Sequence, residues 1–184
     1  MTLGVLLAIV FMIGWLPPYL WRTEPMVQAL PAYDSGERYS TLATAIALTV
    51  HMAIGCIMLT LHHVPLLRGL IALAIFGFGI GFWYWGRTLI GPLQVRRMPD
   101  ELPPAFLTSG AFGIVRHPLY FSYLTAAAAP VVATLSPWLV LSYTVCAVML
   151  GARAITEEKR LRTQLGAQYD DYSRKVKRLV PFVW

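Results

Sequence analysis

The chain has 184 residues, enough for one domain, and 57% of them are hydrophobic while only 13% are charged; soluble domains average roughly 45–50% and about 25%. A soluble globular protein is therefore excluded as the default, and lipid is the expected solvent for most of the chain. The formal net charge of +6 is not a nucleic-acid footprint, because its carriers flank apolar runs where anionic lipid headgroups are the nearest partners.

A bilayer core of about 30 Å takes roughly 20 apolar residues in a helix. Five runs approach that length with almost no Asp, Glu, Lys or Arg. The first, Thr2 to Trp21, ends in Pro17 and Pro18 before its last residues. It has no basic residue ahead of the apolar run and no small-residue cleavage pattern, so it reads as a retained span rather than a secretory signal peptide. The second runs from Ser40 to Leu61 and the third from Gly69 to Gly86. The fourth, Leu119 to Ser136, and the fifth, Trp138 to Met149 with an extension through Gly151 and Arg153 to Ile155, are separated only by Pro137 and its neighbours. They predict a helical hairpin, with a kink or break ahead of Pro130 where a backbone donor is missing.

The positive-inside rule orients these spans. With the N-terminus outside, every Lys and Arg except Arg68 falls on the inner side, from Arg22 and Arg38 through Arg87, Arg96, Arg97 and Arg116 to Arg153 and the basic residues after it. The expected location is a prokaryotic cytoplasmic membrane, with the C-terminus cytoplasmic. Cys56 and Cys146 both lie inside spans, where buried thiols are expected rather than a disulfide framework.

Two polar stretches interrupt the apolar pattern on the inner side. One runs from Arg87 to His117, where Pro92, Pro103, Pro104 and the Thr108, Ser109, Gly110 cluster break any long helix. The other is the tail from Glu157 to Trp184. In it Leu161, Leu165, Tyr169 and Tyr172 recur at helical spacing, predicting an amphipathic helix on the membrane surface that ends in an apolar, aromatic anchor from Val180 to Trp184. The fold expected is thus an all-α integral membrane protein of about five transmembrane helices with a C-terminal hairpin and a cytoplasmic amphipathic helix. Residues 1–184 form a single membrane domain: three spans over 1–86, then a loop, hairpin and tail over 87–184. No internal repeat is present.

Ionisable groups at a lipid boundary are costly, so their placement carries weight. Arg116, His117, Pro118 and Tyr120 meet the start of the fourth span. Arg116 alone reads as a charge anchor, and His117 alone as an interfacial side chain bonded to backbone. Arg153 and Glu157 are four apart and permit an ion pair, while Glu158 can pair with Arg162. Adjacent carboxylates cannot share one helical face, so Glu157 and Glu158 address different partners. His51, with His62 and His63 at the outer end of the same span, opens a rival reading as a haem- or quinone-binding membrane protein. A third reading is a lipid-organising protein that works through its basic tail.

The order of these clusters is more informative than any one of them. Leu107-Thr-Ser-Gly-Ala-Phe-Gly-Ile-Val-Arg-His-Pro-Leu-Tyr120 is followed by the hairpin, then by Glu157, Glu158, Leu161, Gly166, Tyr169 and Tyr172. This resembles the isoprenylcysteine carboxyl methyltransferase and phospholipid methyltransferase superfamily, whose pattern is a Thr-x-Gly turn, Arg-His-Pro-x-Tyr, two membrane helices, Glu-Glu and a Gly-x-x-Tyr-x-x-Tyr tail. The match covers roughly the last 80 residues; Ala111, Ser122 and Leu165 stand where the family often has proline, glycine and phenylalanine. The resemblance implies methyl transfer from S-adenosylmethionine to a lipophilic small molecule or lipid, with S-adenosylhomocysteine as product and no nucleic-acid partner. It implies a cofactor site of Gly113, Val115, Arg116, His117, Pro118, Tyr120, Glu157 and Glu158, with no metal. Arg153 would orient an acidic or polar acceptor group, with Glu157 holding its guanidinium. A prenylcysteine carboxylate, a phospholipid amine and a small thiol all remain open as acceptors.

Overall fold

The computed structural model describes residues 2–15, 35–95, 107–181 and 183. Among them the chain forms seven helices: α1 (Leu3–Trp15), α2 (Ser35–Leu61), α3 (Leu66–Val95), α4 (Ala111–Ile114), α5 (Pro118–Thr134), α6 (Pro137–Leu165) and α7 (Ala167–Lys175). Three stretches are long and apolar enough to cross a membrane: Tyr39–Leu61 of α2, Leu66–Ile90 of α3 and the whole of α6. The protein is therefore an all-helical membrane protein. The other two expected spans are shorter. α1 has 13 residues, and Pro17, Pro18 and Trp21 lie outside the described residues. α5 has 17 residues, about 26 Å at the helical rise.

Helix boundaries depart from the sequence expectation at four places. α3 continues through Arg87 and Pro92 to Val95, so the first polar stretch begins as helix; Pro103 and Pro104 lie outside the described residues. α5 runs through Pro130 without breaking. Its ring is buried against α2, where a side chain on Gly55 would meet it at 2.8 Å, and packing of this kind holds proline inside membrane helices. α6 does not stop at the membrane boundary but carries Arg153, Glu157 and Glu158 on to Leu165. Gly166 then turns the chain at φ 53° and ψ −130°, a region that favours glycine. The tail periodicity is thereby divided between two helices, and Tyr169 and Tyr172 of α7 are buried in the protein. Phe182 and Trp184 of the expected anchor lie outside the described residues.

Small residues bring the helices together. α5 buries Ser122, Ala126, Ala127, Ala129 and Ala133 and packs most extensively along α3. There a Cβ on Gly79 would come within 2.7 Å of the Ala126 backbone nitrogen. α1 lies against α2 and α3, with Phe11 stacked on Phe76 at 4.5 Å between ring centroids. Close backbone approach over small side chains is how membrane helices associate, since lipid tails remove the hydrophobic drive between them. Outward faces carry large apolar side chains, among them Leu67, Leu70, Phe78, Trp138 and Val148, as a lipid-facing surface requires.

His51 lies deep in this bundle, fully buried. Its Nε2 is 2.8 Å from the Ala127 carbonyl of α5 and its Nδ1 is 2.8 Å from the Ser142 hydroxyl of α6. Both ring nitrogens therefore tie three helices together. His62 instead bonds its own helix at the Met58 carbonyl, in an exposed position, and His63 is exposed. The three histidines are not brought to one place.

Candidate active site

The first cluster starts from a tight turn. Gly110, at φ 62°, opens the single turn α4, whose Val115 ends in extended backbone. Val115 forms a parallel bridge with Lys177, the Arg116 N–H donates to the Lys177 carbonyl at 2.8 Å, and the His117 N–H donates to the Arg178 carbonyl at 3.1 Å. The end of the tail is thus paired to the start of α5. Gly113 N–H donates to the Gly110 carbonyl and Val115 N–H to the Ala111 carbonyl, so with the Arg116 N–H given to Lys177 these three amides are already committed within the protein.

His117 is the N-cap of α5 and Pro118 its first residue, a position where the missing donor of proline costs nothing. One turn on, the Tyr120 ring stacks on His117 with centroids 5.3 Å apart and planes 5° from parallel. The Tyr120 hydroxyl donates to Glu157 Oε1 and accepts from Arg153 Nε. Arg153 Nε also donates to Glu157 Oε1 at 3.0 Å, the expected i,i+4 pair.

Glu158 faces the other way. Its side chain is 3% exposed, against 30% for Glu157. Oε1 accepts from Arg116 Nε at 2.9 Å and Arg178 Nε at 3.0 Å, and lies 3.3 Å from His117 Nε2; Oε2 accepts from the Arg178 terminal nitrogen at 2.9 Å. The two neighbouring carboxylates do address different partners, as their adjacency requires. Glu158 does not pair with Arg162, which instead meets Asp170 at 3.2 Å. Arg116 Nη1 reaches on to the Ser173 and Val176 carbonyls at the end of α7, where helix carbonyls are otherwise without partners. Tyr172 donates to the Phe112 carbonyl at 2.6 Å, locking α7 against α4. Glu158 is thus the carboxylate on which loop, α5 and tail converge.

His117 sits between the two carboxylates, with Nδ1 3.6 Å from Glu157 and Nε2 3.3 Å from Glu158. Burial works against its charged form, but hydrogen bonds and charges from Glu157 and Glu158 outweigh it and hold the imidazole above its ordinary 6.5. Tyr169, buried beside the same groups, is pushed up to about 12 by burial and by the Glu158 charge. The cluster therefore combines three guanidinium groups with two carboxylates and a histidine inclined to hold its proton.

Every candidate site residue read from the sequence lies in this one region. Val115, His117, Pro118 and Glu158 are buried in it, while Gly113, Tyr120, Arg153 and Glu157 keep exposed or partly exposed surface. Two features were missed. Arg178, one basic residue among many in the tail, has no spacing to mark it. Ser40 and Thr44 of α2 line, with Arg153, Thr156 and Glu157, a cavity of about 250 Å3 beside the cluster.

No family model matches the sequence, and no curated protein matches it. Among solved structures the chain is similar to the eukaryotic intramembrane Ras methyltransferase, isoprenylcysteine carboxyl methyltransferase, with a TM-score of 0.53 at 17% identity over 84% of this chain. The fold is isoprenylcysteine carboxyl methyltransferase-like. This chain spans about half that protein's length, 55%.

Proposed function

We propose that the chain is a membrane-embedded methyltransferase that uses S-adenosylmethionine and acts on a lipophilic acceptor, releasing S-adenosylhomocysteine. The observation that carries this reading is the meeting of His117, Tyr120, Arg153 and Glu157 beside a cavity, on an isoprenylcysteine carboxyl methyltransferase-like fold. The donor set suits the cofactor, whose hydroxyls and ammonium want carboxylate acceptors and whose carboxylate wants cationic donors. The roles divide by exposure. Gly113, Tyr120 and Glu157 would touch the cofactor, with His117 beside them, and Glu157 would take its hydroxyls or amino group. Val115, Arg116, Pro118 and Glu158 would shape the pocket from behind. The concentration of basic residues at this end of the bundle supports reading it as the cytoplasmic face, with the N-terminus outside.

Bound there, the cofactor supplies a methyl group on a sulfonium, so transfer is a displacement in which the acceptor's lone pair forms the new bond as the carbon–sulfur bond breaks. The protein's work is alignment and exclusion of water. Arg153 orients an oxygen of the acceptor, and Tyr120 and Glu157 fix its guanidinium. A carboxylate or thiolate acceptor needs no base. An amine or hydroxyl would pass its proton to Glu157, the carboxylate that faces the cavity. Calorimetry with S-adenosylhomocysteine tests the reading: the purified chain should bind it, and Glu157→Gln should weaken binding about 10- to 100-fold, the worth of one hydrogen bond to a charged group. No binding by the wild type, or equal binding by the variant, would overturn it.

A further inference from the structure

Three arginines at the Glu158 end of the bundle, Arg116, Arg153 and Arg178, each meet a glutamate. Arg87 of α3 does not. It is only 9% exposed, and among the described residues neither a hydrogen bond nor an ion pair reaches it. It lies three residues inside the end of the membrane-spanning stretch Leu66–Ile90, about 5 Å along the helix and so at the level of lipid headgroups. A guanidinium has donors and no acceptor, and a charge withdrawn from water without a counter-charge is costly.

Helical spacing along α3 fixes where Arg87 stands. Gly69, Phe76 and Trp83 recur every seven residues and follow α1 along its length. A Cβ on Gly69 would meet Leu3 at 2.8 Å, and Phe76 stacks on Phe11. Trp83 Nε1 donates to the Tyr123 hydroxyl at 3.2 Å, and the Tyr123 ring meets Trp15 edge-on with centroids 5.9 Å apart. Arg87 is the next position on that face, one turn beyond Trp83. Phe82 and Leu89 instead pack with Ala111 and Val115 of the loop around α4, and Leu89 is about 200° around the helix from Arg87. Arg87 therefore stands on the α1 side of α3, away from the cofactor cluster.

The same corner holds a second donor without an acceptor. Trp15 Nε1 is sealed from solvent and has no hydrogen-bond partner among the described residues, and an indole N–H can only donate. Two unmet donors, one of them charged, thus flank the Trp83–Tyr123 pair. What satisfies both is an anionic oxygen group, and at headgroup level the nearest such group is a phosphate.

We infer that Arg87 and the Trp15 indole form a site for an anionic phosphate, borne by a phospholipid or free in solution, on the α1 side of α3. The site uses none of the residues of the cofactor cluster, so it stands whether or not the methyl-transfer reading does.

Native mass spectrometry of the purified full chain in maltoside micelles, titrated with dioctanoyl phosphatidylglycerol, dioctanoyl phosphatidylcholine or potassium phosphate, tests it. Phosphatidylglycerol or phosphate should bind in preference to phosphatidylcholine, and the tighter of the two anions names the bearer. Arg87→Leu should cut that binding about 10-fold or more, and Trp15→Phe, which keeps an aromatic ring and loses the donor, about 3- to 10-fold. Because Arg87→Leu removes an unmatched charge, the ligand-free variant should unfold no earlier than the wild type. The anion should raise the unfolding temperature of the wild type and leave that of Arg87→Leu unmoved. S-adenosylhomocysteine affinity should be the same in all three proteins. Undiminished anion binding by Arg87→Leu or by Trp15→Phe overturns the inference, as does phosphatidylcholine bound as tightly as either anion. Loss of S-adenosylhomocysteine binding in Arg87→Leu overturns it too, because the guanidinium then belongs to the cofactor.

Discussion

The bundle formed by α1, α2, α3 and α5 and the cluster where α4, α6 and α7 meet the start of α5 are held by different physics. In the bundle, Leu7, Leu48, Met52 and Leu59 pack with the stacked Phe11 and Phe76 over alanines and close-approach glycines, and His51 is a polar tie between α2, α5 and α6. In the cluster, Glu158 gathers Arg116, Arg178 and His117, and the tail is paired to the loop through Lys177 and Arg178. Lipid offers helices little hydrophobic reason to associate, so shape decides the first region. At the water boundary a buried charge must be matched by another, so partner identity decides the second.

The sharpest way to break this contrast is to remove the matching charge. Glu158→Ala leaves Arg116 and Arg178 facing each other in a nearly closed space. Loss of one partner from a buried ion pair costs about 3–5 kcal/mol. Unfolding in mixed micelles should register a loss of that order, with the C-terminal tail becoming sensitive to protease first. A loss below about 1 kcal/mol, the range of an exposed pair, would mean that the tail is held by packing and that the two regions are alike.

A smaller effect is expected from the bundle. Gly79→Leu forces a side chain against the Ala126 backbone, where even a Cβ would sit 2.7 Å from the nitrogen. Overpacking of this kind costs about 1–3 kcal/mol. The variant should lose stability in the same assay while its tail stays as protected as in the wild type. Early exposure of the tail in Gly79→Leu would show that the two regions unfold as one unit.

The same contrast explains what was legible in the sequence. Arg116, His117, Tyr120, Arg153, Glu157 and Glu158 stand out because ionisable residues beside long apolar runs are costly and must have partners, so their order along the chain carries information. Their wiring was only half readable. The Arg153–Glu157 pair follows from helical spacing, but the choice of Arg116 and Arg178 over Arg162 for Glu158 depends on how the tail returns to α4, which no local pattern encodes. Helix ends were misjudged where proline was read as a breaker. Pro92 lies within α3 and Pro130 within α5; at Pro130, packing of the ring on Gly55 of α2 overrides the local preference for a break. The break at Gly166 went unread because the apolar spacing runs on through it from Leu161 to Tyr172. Ser40 and Thr44 carry no motif; only the packing of α2 on α6 makes them part of a cavity.

The smallest expected effect separates the regions by pH. His117 is faced by Glu157 and Glu158 from α6, by Tyr120 on its own helix and by the Arg116 and Arg178 guanidiniums that share Glu158. Its folded-state pKa lies above the ordinary 6.5 because the two carboxylates outweigh burial. A proton held more tightly in the folded state stabilises that state fully below the unfolded value, and the contribution disappears as pH rises through the folded one. The wild type should therefore lose stability on going from about pH 6 into the alkaline range, and His117→Gln should remove the part of that slope due to the imidazolium. Gly79→Leu, altered only in the bundle, should keep the wild-type slope while its whole curve is lowered. A His117→Gln slope parallel to the wild type would mean that the imidazole is not charged between the carboxylates, and that guanidiniums alone hold the loop to the tail.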